Sequence, residues 1–281
     1  MTGPLPDRRN DFDVTNTVRV SSPDAVREAV AKLFHATWPG ATFDPLWMAF
    51  HDYERLFHGD LPGYFGCDTV YHDLQHTLDM TLAMARLLVG YERSCAPEER
   101  VGGERAVLGL IAALFHDSGY IRREDEPRWD NGAQFTNWHV SRSAEFLSAY
   151  MNGVGLSHLA KRASLLVHFT GYEQNPEDIE LDDPLDTHVG HLLGTGDLLA
   201  QMADRCYLEK CRDRLYAEFV LGGIAFGDAL GGSPRYESGL DLLRQTPVFW
   251  RQAAYQRMNR QFNRAYRHME VLFDGRNPYM E

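Results

Sequence analysis

No two cysteines in the chain are spaced as C-x-x-C: Cys67, Cys95, Cys206 and Cys211 lie apart. That spacing excludes a cysteine zinc ribbon and a thioredoxin-like redox site, and unpaired thiols suit a reducing compartment. Phosphate loops of the types G-x-G-x-x-G and G-x-x-x-x-G-K-[ST] are missing, as is the G-x-S-x-G turn of serine hydrolases. A backbone phosphate cradle and an activated serine therefore lack their usual carriers. The longest apolar run, Val107 to Phe115, falls far short of the ~20 residues of a membrane span. Positive charge is scarce: 28 Lys+Arg stand against 40 Asp+Glu, a net charge of -12. Such a balance repels a phosphate backbone, so no nucleic-acid polymer is expected as a partner.

What is present is an ordinary globular composition, 44% hydrophobic and 24% charged over 281 residues. That is chain enough to bury a core without covalent staples. Met1 to Val14 is polar and has no apolar segment of the signal-peptide kind. Residues 1–20 show no apolar periodicity and read as a flexible lead-in, with one domain over residues 21–281. The expectation is a soluble cytoplasmic protein without membrane contact.

Helix signals run through that domain. Ser22-Pro23-Asp24 offers a capping hydroxyl, a first-turn proline and an acid at the positive end of the dipole, ahead of Val26, Val30, Leu33 and Phe34 at helical spacing. Asp44-Pro45 starts a second helix toward Gly59, and a third is predicted from Thr69 to Gly90. A fourth, Glu104 to Asp117, is apolar nearly all round, the pattern of a central buried helix. Polar residues 124–137 read as a loop. Further helices are predicted over residues 138–151, 157–169, 184–204, 207–221 and 239–244, and a long last one from Pro247 toward Phe273. No β-branched alternation is long enough for a strand, so the predicted fold is all-α, a single helical bundle of about nine helices.

The chain holds 12 histidines, and their positions carry most of its information. In Tyr71-His72-Asp73-Leu74-Gln75-His76, the two histidines are four apart, one turn on a shared helix face, which Asp79 extends. His116-Asp117 closes the most apolar helix, where ionisable groups are costly unless paired or coordinated. A cation resolves that cost, with a carboxylate able to bridge two ions; the plain alternative is a C-terminal histidine cap with a solvated aspartate. His139 opens a helix, His168 ends an apolar one, and Asp197 interrupts Gly194 to Ala200 with Gln201 one turn on to orient it. Histidines such as His139 and His168 also occur as core residues satisfied by a carbonyl. Taken together, nitrogen and oxygen donors without sulfur suit divalent metal ions such as Mn, Fe, Zn, Co or Mg. Arg122, Arg123 and Arg142 lie near these motifs as candidate phosphate contacts.

The order His76, His116-Asp117, Asp197 resembles the HD-domain superfamily of metal-dependent phosphohydrolases, over roughly residues 45–220. Residues 71–76 also resemble the YHNxxH motif of cyclic-nucleotide phosphodiesterases, with Asp73 in place of the asparagine. The resemblance implies an all-α fold, His72 as general acid, and His76, His116, Asp117 and Asp197 as metal ligands. His139 and His168 look like second-metal ligands of binuclear members. The implied chemistry is hydrolysis of a small anionic phosphate-containing substrate, a phosphodiester or nucleotide, by a hydroxide activated between two metals sharing Asp117. Asp79 or Asp73 would then hold the His72 ring. A diiron oxygenase on the same scaffold and a non-catalytic nucleotide-binding module are the alternatives; cyclic-nucleotide specificity is not implied, because a purine-clamping glutamine has no clear counterpart.

Overall fold

The computed structural model describes residues 9–126, 128–226 and 235–281. Its architecture is all-α: ten α-helices, short 3-10 turns, and no strand among the described residues beyond the isolated bridges Phe12–Arg19 and Tyr64–Arg123. No described helix is long and apolar enough to cross a membrane.

The helices are α1 (Pro23–Thr37), α2 (Asp44–His58), α3 (Leu74–Ser94), α4 (Gly102–Phe115), α5 (His139–Gly153), α6 (Ser157–Leu166), α7 (Pro184–Ala203), α8 (Tyr207–Lys210), α9 (Tyr216–Leu221) and α10 (Gly239–Gln252). α3 lies at the centre, packed against α1, α4, α7 and a 3-10 turn at Ala265–Val271. The close approach of that turn requires Gly90, because a Cβ there would stand 1.9 Å from the His268 carbonyl oxygen. α4 is buried without a break from Ala106 to Phe115, as its all-round apolar pattern requires.

Helix boundaries differ from the sequence reading at two places. α3 begins at Leu74 and not Thr69, because the Asp73 carboxylate accepts the His76 backbone N–H at 2.9 Å and caps the first turn. His72 therefore precedes the helix. The predicted break before Pro247 is absent: α10 starts on a Ser238 cap, passes through Pro247 and continues as wider π turns to Gln261, where left-handed Asn263 and Arg264 end it short of the predicted Phe273. Proline deprives the Leu243 carbonyl of its helical donor, and the Thr246 hydroxyl donates to it instead at 2.7 Å. The helix predicted over 157–169 keeps that extent, its last turn tightening to 3-10 at Val167–Phe169, where His168 sits.

The lead-in also differs. Residues 1–8 lie outside the described residues, but residues 9–20 are docked on α3. Asp13 is fully buried, 2.9 Å from the Arg86 guanidinium. An ion pair removed from water and held by the backbone N–H groups of Thr15 and Val18 fastens a stretch that has no apolar period to betray it.

Candidate metal centre

Three helix ends and one helix middle meet beside α3. The Asp73 cap sets His76 in the first turn of α3. His116 is the C-terminal cap of α4, and Asp117 begins the tight turn Ser118–Tyr120. Gly119 permits that turn, because a Cβ would stand 1.8 Å from the His139 carbonyl oxygen, and its N–H donates to the buried Ser143 hydroxyl at 2.8 Å. α7 packs along α3 and brings Asp197 to the same point.

His116 and Asp117 are only 2% and 3% exposed. The His116 Nδ1–H donates to the Ala113 carbonyl at 2.8 Å, which leaves Nε2 for the centre. That nitrogen is 3.2 Å from Asp117 Oδ2 and 3.7 Å from Asp197 Oδ1, and His76 Nε2 is 3.6 and 3.4 Å from the same two oxygens. Donors bound at about 2.0–2.2 Å to one tetrahedral ion stand roughly 3.3–3.6 Å from each other. The measured separations match that spacing. They do not match a hydrogen-bonded cluster: His116 Nε2 and Asp117 Oδ2 are buried without any hydrogen-bond partner. Such orphans are costly and need a reason. The donor set thus fits a divalent cation, with His76, His116 and Asp197 as its clearest members.

Electrostatics agree with a site built around positive charge. Burial disfavours a charged His116, yet Asp117 and Asp197 raise its pKa to about 9. Burial likewise opposes ionisation of Asp117, but His116, His72 and His76 hold its carboxyl far below the usual range. A proton on His116 occupies the position for which a metal ion competes.

His139 reaches the other side of the same carboxylate. Its Nδ1–H donates to the Thr136 carbonyl at 2.8 Å, and Nε2 is 3.8 Å from Asp117 Oδ1. The two oxygens of Asp117 therefore face different histidines. Burial, above all, lowers the His139 pKa. His168 is buried on its turn with Nδ1 unpartnered, but it joins no ion pair among the described residues and is not on the cavity wall. The fold brings His76, His116, Asp117, His139 and Asp197 together.

His72 is held by a residue that sequence reasoning missed. Its Nδ1 is 2.7 Å from Glu218 Oε2, while the backbone N–H groups of Tyr71 and His72 donate to Glu218 Oε1. Burial works against protonation, but Glu218 outweighs it and lifts the His72 pKa to about 9. Neither expected orienter serves. Asp73 caps α3 and pairs with Arg214 at 3.1 Å, and Asp79 faces the Arg86 side of the helix. Glu218 left a signal, a lone carboxylate in the apolar run Tyr216 to Leu221, of the kind that exposed Asp197. Tyr120 has no such signal: its ring stacks between His72 and His139, at 4.4 and 4.3 Å.

Gln201 accepts from the Tyr71 hydroxyl at 3.2 Å instead of orienting Asp197. Arg122, Arg123 and Arg142 are engaged by Asp68, Glu145 and Glu126, at 2.7, 3.2 and 2.7 Å, and none lines the cavity. Their charges fasten the loop between α4 and α5.

The centre opens into a cavity of about 400 Å³ whose wall includes His72, Tyr71, Tyr120, Tyr172, Phe219 and Phe249. No protein-family model, curated protein or solved structure matches the chain.

Proposed function

We propose that the chain is a metal-dependent phosphohydrolase of the HD-domain kind, acting on a small phosphodiester or nucleotide. The observation that carries this reading is the pair of orphaned atoms, His116 Nε2 and Asp117 Oδ2, converging with His76 and Asp197 at metal-ligand spacing inside a cavity. His76, His116, Asp117 and Asp197 would hold one divalent ion. Asp117 Oδ1 and His139 offer donors toward a second.

When bound, such an ion supplies Lewis acidity, offsetting phosphate charge and making water nucleophilic near neutral pH. The chain's own groups do the rest. Asp117 and Asp197 present carboxylates to the cation, while the Ala113 carbonyl keeps His116 in the tautomer whose Nε2 can bind. Glu218 takes Nδ1 of His72, so Nε2 is the nitrogen left for the cavity, suited to protonate a leaving oxygen. The rings of Tyr71 and Tyr120 limit water around that proton. The four free cysteines accord with a cytoplasmic setting.

The test is metal analysis of protein purified without added metal, followed by a phosphoester panel with Mn. Wild type should carry at least one equivalent and hydrolyse a member of the panel. Asp117→Ala and Asp197→Ala should lose metal and turnover together. Full metal content in both variants would exclude the assignment, and a metal-replete wild type inert on every ester would exclude the hydrolase reading.

A further inference from the structure

A second cavity, about 530 Å³, adjoins the first and shares Tyr172, Glu173, Arg235 and Phe249 with it. The segment 170–176 runs between them, its first residues facing the centre and its last the second cavity. Two arginines are buried among the described residues. Arg86 pairs with Asp13 at 2.9 Å; Arg257, 6% exposed on the wall of the second cavity, meets no carboxylate of the described residues.

The Arg257 guanidinium lies 4.2 Å from the Tyr172 ring centroid and donates to the carbonyls of Phe169 and Gly171. Those bonds use two of its five N–H groups. Burying a cation with no carboxylate in contact is costly; burial lowers its pKa from the usual arginine value, and the fields of Tyr172 and Asp197 offset only part of that. The one acid shared by both cavities does not relieve this, because Glu173 is spent on the start of α5, accepting from the Val140 and Ser141 N–H groups at 2.8 and 3.1 Å. Arg235 adds a second, exposed cation at the mouth, and Gln252, Gln256 and Gln261 add amides.

We propose that this second cavity is an oxyanion subsite, in which Arg257 and Arg235 bind a second anionic group of a substrate whose phosphoester lies at the histidine–aspartate centre. The subsite rests on its own geometry; its use by the substrate rests on the function proposed above. A planar guanidinium fork suits a phosphate or carboxylate terminus. In a chain of net charge -12, a pre-placed cation offsets the general repulsion of such a group.

The subsite is tested first without metal. Inorganic phosphate is titrated into EDTA-treated protein and followed by 31P NMR. Wild type should bind; Arg257→Gln should weaken binding about tenfold or more, the scale of a lost charge-assisted pair. Arg235→Ala should weaken it by a smaller factor, and Asp197→Ala, which removes a negative charge from the neighbouring centre, should not weaken it. Arg257 also holds two carbonyls, so helix content is recorded by circular dichroism, and the exposed Arg235 tests the site if Arg257→Gln fails to fold. No binding by wild type, unchanged affinity in the folded arginine variants, or loss in Asp197→Ala alone would overturn the subsite. With metal restored, at least one of a series of α,ω-alkanediol bisphosphates should bind more tightly than its monophosphate, an advantage that Arg235→Ala removes. No such gain in any member would overturn its use by the substrate. A wild type that takes up no metal on reconstitution yet binds phosphate through Arg257 would defeat the hydrolase reading and not the subsite.

Discussion

His72 and Glu218 form the pair through which single-residue chemistry is most directly tested. The carboxylate binds the ring and two backbone N–H groups at once, so it sets both the position and the charge of the histidine. His72→Ala should retain its metal but lose roughly 10²–10⁴-fold in turnover of an alkyl ester, the usual worth of a general acid. The loss should be much smaller with a nitrophenyl ester, whose leaving group scarcely needs the proton. An equal loss on both esters would remove the acid role. Glu218→Gln keeps the shape and removes the charge that raises the His72 pKa to about 9. The proton is then held less tightly, so the alkaline limb of the kcat/KM profile should move to lower pH, as measured across pH 6–10.

At the scale of elements, two glycines separate stability from site assembly. Gly90 lets α3 touch the turn at Ala265–Val271, remote from the centre, whereas Gly119 lets the turn after α4 touch the start of α5 at His139. In both, a Cβ would overlap a backbone oxygen, and overpacking of this kind costs about 1–3 kcal/mol or more. Gly90→Ala should lower Tm by several degrees, at roughly 2–4 °C per kcal/mol for a chain of this size, and leave metal content intact. Gly119→Ala should lower both. Calorimetry with metal analysis on the two variants checks the distinction; full metal retention in Gly119→Ala would show that the turn tolerates the shift. The Pro247 bridge makes a related point: a helix survives an internal proline when a neighbouring hydroxyl serves the abandoned carbonyl.

Across the whole molecule, both ends of the described chain are fastened to α3 through Arg86, which pairs with Asp13 and donates to the Tyr279 hydroxyl at 2.6 Å. Half-buried Asp79 stands beside this junction with one oxygen buried and unpartnered. Burial raises its pKa to about 7; Arg86 opposes the rise, and Asp13 and Asp204 add to it. An acid held more tightly protonated in the fold than in the open chain costs nothing below its unfolded pKa of about 4. The cost grows as pH rises to about 7 and is constant above. Asp79→Asn, which mimics the protonated form, should therefore stabilise the protein at pH 8 by about 1–3 kcal/mol, after allowance for partial exposure. The gain should vanish near pH 4. Denaturant unfolding at both values checks it, and a gain that does not depend on pH would rule out this origin.

The sequence by itself determined the helical class, the order of the main helices and the presence of nitrogen and oxygen donors at His76, His116, Asp117 and Asp197 in or at the ends of helices. These are local facts: a 3.6-residue period, a capping residue, a charged group in an apolar run. Only the tertiary structure decided which of those groups meet. His139 reaches Asp117 because α5 packs on the turn at Gly119, a contact that chain order does not specify. Glu218 approaches His72 from 146 residues away, a distance across which no periodicity operates. Arg122, Arg123 and Arg142 look available in sequence and are consumed by neighbouring acids; Arg257 looks ordinary in sequence and ends up buried with no carboxylate of the described residues in contact. Local pattern records whether a side chain is costly to bury, but its partner is settled by the packing of distant helices.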